Sequence, residues 1–125
     1  MLFRSGLPRA AGTARYPYRV AEMHADLAKV TLARAPGTKW EYSNLGIALL
    51  AEAMETIFKA PIDKLIAEHV STPLGLTDTG LVGSGTDALV TGYLASGVKA
   101  PLQSPTWPAY QGAGALWSTA ADLGA

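Results

Sequence analysis

Residues 39–54 read KWEYSNLGIALLAEAM, and the pattern after Asn44 decides the fold. Ile47, Leu50, Met54, Ile57 and Phe58 recur at helical spacing, while Leu45, Ala48, Leu49 and Ala53 make much of a second face apolar. A helix apolar over so much of its circumference is expected inside something larger. Ser43 or Asn44 would cap it by accepting a free backbone N–H, with Tyr42 or Trp40 packed beside the first turn.

The same spacing rules organise the flanks. Residues 1–18, rich in Gly, Pro and Arg, read as irregular. Val20, Met23, Leu27 and Val30 predict a helix over 19–33, and Pro36-Gly37 breaks it. Pro61 suits the first residue of another helix, with Ile62, Leu65, Ile66 and Val70 as its stripe and Pro73 as its stop. PLGLTDTGLVGSGTD reads as loop, and residues 87–110 as turns with at most one short strand. GAGALWSTAADLGA approaches a last helix that Ser118 or Thr119 would cap, where Asp122 suits the positive N-terminus. No repeat and no linker interrupts residues 1–125, so the chain is one domain or part of one.

Composition narrows the function classes. Apolar residues make up 49% of the chain and charged ones 16%, which argues against disorder. Ten basic residues balance ten acidic ones, so no nucleic-acid partner is predicted. The absence of cysteine excludes disulfides and thiolate metal sites. His24 and His69 lie far apart without a carboxylate–histidine motif, so no metal site is expected. No run has the length of a membrane span, and MLFRSGLPRAAG lacks the apolar core of a signal peptide. Composition gives neither compartment nor oligomeric state.

Tyr42-Ser43-Asn44 taken alone reads as a helix cap. Four segments in order give it another meaning: SGLPR, PGTKWEYSNLGIALLAEAME, PIDKLIAEHVSTPLGLTDTG and GAGALWSTAADL. Together they resemble the serine β-lactamase and penicillin-binding-protein superfamily, in the branch of class C β-lactamases, DD-peptidases and related esterases. Leu76 stands where that family most often has Met, and Ala115 at a position it fills with a small residue. Phe3-Arg4 precedes Ser5-Gly6-Leu7 where the family often has His-Thr, and the site is not expected to depend on that segment.

The resemblance implies acyl transfer by a nucleophilic serine whose proton a lysine one turn away can take. It makes Tyr42 the acid/base and Asn44 the positioning residue, leaving Ser43 as a spacer. It implies no cofactor and no metal, and a small-molecule or peptide substrate for the full-length parent. It also places residues 1–125 in the helical region of an α/β fold, mainly α, with most of the sheet missing. Apolar surface on the long helix would then lie uncovered.

The nucleophile is not among the residues that match. Nothing before Tyr42 reads Ser-x-x-Lys; the literal match, Ser96-Gly97-Val98-Lys99, follows it, contains Gly and runs into Pro101. Lys99 and His69 open no Lys/His-x-Gly motif, and Ser84 has Val82 where a nucleophile elbow needs Gly. A free phenol titrates near ~10, so such a tyrosine needs flanking lysines to act as a base. The leading expectation is a central, inactive piece of a serine hydrolase. One alternative is a binding module holding a peptide or cell-wall ligand around Trp40, Tyr42 and Trp107. Another is a small all-α protein in which Asn44 merely caps, so that Asn44→Ala lowers stability by ~1 kcal/mol.

Overall fold

In a computed structural model, residues 2–11, 18–81, 90–99 and 108–124 are described. They form helices α1 (Val20–Leu27), α2 (Asn44–Phe58), α3 (Ile62–Ile66), α4 (Gln111–Gly114) and α5 (Ala120–Leu123). Short 3-10 turns lie at Leu2–Arg4 and Pro108–Tyr110, and α3 continues into a π-helical turn, Ala67–Ser71. Among the described residues there is no strand, only the isolated antiparallel bridges Gly80–Trp117 and Tyr93–Lys99.

The 15-residue α2 joins two apolar clusters. Leu45 and Ala48 at its start pack with Ala11, Tyr18, Met23 and Ala109. Ala51, one turn on, packs with Ile62, Leu65 and Leu81. Met23 and Leu45 are wholly buried, each worth roughly 1.5–3 kcal/mol of burial. Tyr110 stacks on Tyr18 with ring centroids 5.7 Å apart. Small residues on α2 let α4 approach its backbone: a Cβ added to Gly112 would stand 2.4 Å from the Cβ of Ala51.

Three expectations need correction. α1 stops at Leu27 and does not reach residue 33. The N–H groups of Lys29 and Val30 turn back to Asp26 and Leu27, and Val30 packs against the first cluster from outside the helix. Packing there outweighs helical spacing, and β-branched Val30 and Thr31 favour extended chain. Pro61 is the cap of α3, extended at ψ 151°, and helical geometry begins at Ile62. The Ile62 N–H is received by Glu55 Oε1 at 2.8 Å. The third concerns α2, whose larger apolar residues do not all face the core: Ile57 is 73% and Phe58 55% exposed. The core uses the small-residue face. The helix closes at Lys59, which takes a left-handed φ of 53° without being glycine.

The second half is held by side chains. Asp122 Oδ2 accepts from the Asp78 N–H at 2.9 Å and from Thr79 Oγ1 at 2.6 Å. Thr79 Oγ1 also lies 2.8 Å from Ser118 Oγ. Gly80 and Trp117 exchange both backbone hydrogen bonds, so the segment before 80 is fastened to the start of α5. Among the described residues no helix is long and apolar enough to cross a membrane.

Candidate functional site

Ser43 sits in extended conformation and caps α2, accepting the Gly46 N–H at 2.9 Å. Of the two candidate caps, it is Ser43 that bonds. Its hydroxyl donates onward to the Pro8 carbonyl at 2.8 Å, and the residue is fully buried. Ser43 is therefore more than a spacer: it fixes the backbone from which Tyr42 and Asn44 project.

Residues 3–9 form a strap alongside residues 34–45. Glu41 N–H donates to the Phe3 carbonyl, Gly37 N–H to Arg4 and Leu45 N–H to Arg9, at 2.6, 2.7 and 3.2 Å. Gly6 lets the strap pass close to its neighbour: its φ is +79°, and a Cβ there would meet the Arg34 carbonyl oxygen at 2.8 Å. Arg34 also pairs with Glu41.

The strap determines what surrounds Tyr42. The Phe3 ring stacks on it at 5.1 Å and 18°, and Trp40 is tilted against Phe3 at 5.8 Å. The Arg9 guanidinium lies over the Tyr42 ring, 5.1 Å from its centroid, within cation–π range. Tyr42 remains 38% exposed and Trp40 60%. Phe3, Pro8 and Arg9, from the segment on which the site was not expected to depend, contact Tyr42 and Ser43 directly. SGLPR was visible in the sequence, but no spacing rule could join it to residues more than thirty positions away.

Asn44 opens α2, and its Oδ1 is buried with no hydrogen-bond partner among the described residues. A buried acceptor without a donor costs about 1–3 kcal/mol. The corner thus offers a phenol, an unused amide acceptor and a guanidinium around one cap.

Other candidates fall elsewhere. Ser96 and Lys99 belong to a reversing turn in which Leu94 N–H donates to Val98 and Gly97 N–H to Leu94, both at 2.8 Å. They are not one helical turn apart on a helix, so a lysine could not serve the serine there. His24 pairs with Glu52 at 2.6 Å, linking α1 to α2, and His69 packs against Phe58. No group of three metal-ligating side chains occurs among the described residues. Trp107, Ser84 and Val82 lie outside the described residues.

A family pattern described as Beta-lactamase matches residues 1–125. A human protein described as beta-lactamase-like is 35% identical over 95% of this chain, which spans 24% of that protein's length. The D-alanyl-D-alanine-carboxypeptidase/endopeptidase AmpH of Escherichia coli is 40% identical over 42% of this chain and 14% of its own. Among solved structures, a class C beta-lactamase superposes with a TM-score of 0.81 at 19% identity, over 98% of this chain and 33% of that one. The D-alanine carboxypeptidase AmpC of Burkholderia cenocepacia gives 0.73 at 26% identity, over 98% and 34%.

Proposed function

This chain belongs to the beta-lactamase family, and on that premise we propose that Tyr42 and Asn44 are the proton-transfer and positioning residues of a serine acyl-transfer site. The parent reaction is attack by a serine hydroxyl on an amide or ester carbonyl. It passes through a tetrahedral oxyanion, releases the amine or alcohol, and ends with hydrolysis of the acyl-enzyme. Tyr42 gives the leaving group its proton, and Asn44 orients the substrate amide. The nucleophile comes from outside these residues, and residues 1–125 alone are inactive. β-Lactams, D-Ala-D-Ala peptides and simple esters all present the required carbonyl, and a carboxypeptidase among the relatives makes a peptide one candidate.

The observation that carries this reading is the orphaned Oδ1 of Asn44. A cap would have used that oxygen on the backbone, as Ser43 does with its own. An acceptor held buried without a donor suits a partner that arrives from elsewhere, an ammonium or a substrate N–H.

The test compares two proteins. The chain alone should hydrolyse neither a chromogenic cephalosporin nor p-nitrophenyl acetate above the rate of its Tyr42→Phe variant. Tyr42-dependent turnover by the chain alone would place the nucleophile within it and overturn the proposal of inactivity. In a longer product carrying an upstream Ser-x-x-Lys, Tyr42→Phe should lower kcat by about 10²–10⁴-fold. An unchanged kcat would remove Tyr42 from the chemistry.

A second reading, ligand holding without turnover, draws on the exposed Trp40 and Tyr42. Saturable binding of a cell-wall peptide in a longer product that has no esterase or peptidase activity would favour it.

A further inference from the structure

We propose that the exposed end of α2 is a two-fold interface for a second copy of this chain. It lies at the other end of a 15-residue helix from Ser43, about 20 Å away. The inference therefore does not rest on the reading of Tyr42 and Asn44.

The face carries both a hollow and a projection. Met54 and Phe58 of α2, Leu65 and Ile66 of α3, and His69 and Val70 of the π-helical turn line an open groove of about 220 Å³. Apart from His69, every lining side chain is apolar. Ile57 follows Met54 by three positions and precedes Phe58, so it shares their side of the helix, and it is largely exposed. Val70 and Leu74, joined through a backbone hydrogen bond of 3.2 Å, are exposed as well. Adjoining apolar surface of this kind marks a contact with another molecule.

Charge identifies the occupant. The segments that build the groove carry Glu55 and Glu68 against Lys59 and Lys64. A balanced rim draws neither an anionic membrane nor a nucleic acid, and it is what a surface that meets its own copy requires. Lys64 and Glu68 already lie 3.6 Å apart. Glu55 and Lys59 stand four apart in the order that favours pairing along a helix, yet no ion pair joins them among the described residues. Lys59 leaves the helix at φ 53°, and Glu55 Oε1 accepts the Ile62 N–H. Each copy thus offers one carboxylate and one ammonium, two residues to either side of Ile57. Antiparallel pairing about Ile57 sets the Glu55 of each copy opposite the Lys59 of the other. The same two-fold operation brings each Ile57 to the other copy's groove. Such a contact is isologous, so it closes as a dimer and does not propagate.

Sedimentation equilibrium of the whole chain, over about 10 µM to 1 mM, should show the mass rising from 13.0 kDa toward twice that value. Ile57→Asp should weaken the dimer at least about tenfold, with the circular dichroism spectrum and urea midpoint unchanged. Glu55→Lys and Lys59→Glu should each weaken self-association by setting like charges opposite one another. An equimolar mixture of those two variants should recover a dimer containing one of each. A mass that stays at 13.0 kDa, whether or not the monomer binds phosphatidylcholine vesicles, would overturn the proposal. So would association undiminished in Ile57→Asp, growth beyond the dimer, or a mixture no more associated than its components.

Discussion

Ser43 and Pro8 are joined through one hydroxyl, which gives its proton to the Pro8 carbonyl at 2.8 Å while accepting the Gly46 N–H at 2.9 Å. Both roles are performed in a fully buried position. The helix start and the strap therefore share a single atom.

Removing that atom should be felt twice. Ser43→Ala loses the cap, about 1 kcal/mol, and leaves the Pro8 carbonyl without its donor, about 1–3 kcal/mol more. Urea unfolding should show a loss of about 2–4 kcal/mol. A change below about 0.5 kcal/mol would show that the two bonds contribute little.

Asn44→Ala should behave oppositely. Its Oδ1 bonds nothing among the described residues, and alanine is the better helix former by several tenths of a kcal/mol. Stability of the chain should hold or rise in the same urea experiment. A loss of about 1 kcal/mol would make Asn44 a cap after all and support the purely structural reading.

Gly112 and Ala51 should prove coupled. A Cβ at 112 would approach the Ala51 Cβ to 2.4 Å, so Gly112→Ala should cost about 1–3 kcal/mol through overpacking. Ala51→Gly alone should cost up to ~1 kcal/mol in helix propensity. The double variant should be more stable than the sum of the two predicts, by more than about 0.5 kcal/mol. Strict additivity would mean that α4 moves aside.

Asp122 should control local opening in the second half. Its Oδ2 holds both Asp78 and Thr79, partly exposed to water. Asp122→Ala should therefore speed amide exchange at Asp78, Gly80 and Trp117 several-fold, while the amides of α2 stay as they were. Equal acceleration everywhere would make the effect global and not local.

What could be read in advance follows from the range of the interactions. α2, its capping corner and the Thr119 cap of α5 are local patterns, and all three stand where spacing and residue type put them. Val30 misled because it packs on the core from outside the helix, so its apolarity mimicked one more helical turn. The buried face of α2 was hidden behind larger residues: Ala48 is covered by Ala11, Tyr18, Met23 and Ala109, and Ala51 has Gly112 of α4 against it, and nothing near them in sequence announces these partners. For the proposed site, Tyr42 and Asn44 were named on motif resemblance. Phe3, Pro8 and Arg9 were seen only as parts of a matching segment or its departure, because their contacts with Tyr42 and Ser43 reach across more than thirty positions.

That span has a kinetic meaning. Bringing Pro8 to Ser43 closes a loop whose entropy must be spent before the bond returns anything. α2 can nucleate from its own sequence, but Tyr42 gains Phe3 and Arg9 as neighbours only when the strap docks. Long-range contacts of this kind belong to slow steps of folding. The surroundings of Tyr42 are therefore complete only while the strap is docked, and an opening that freed the first nine residues would strip Phe3 and Arg9 from it.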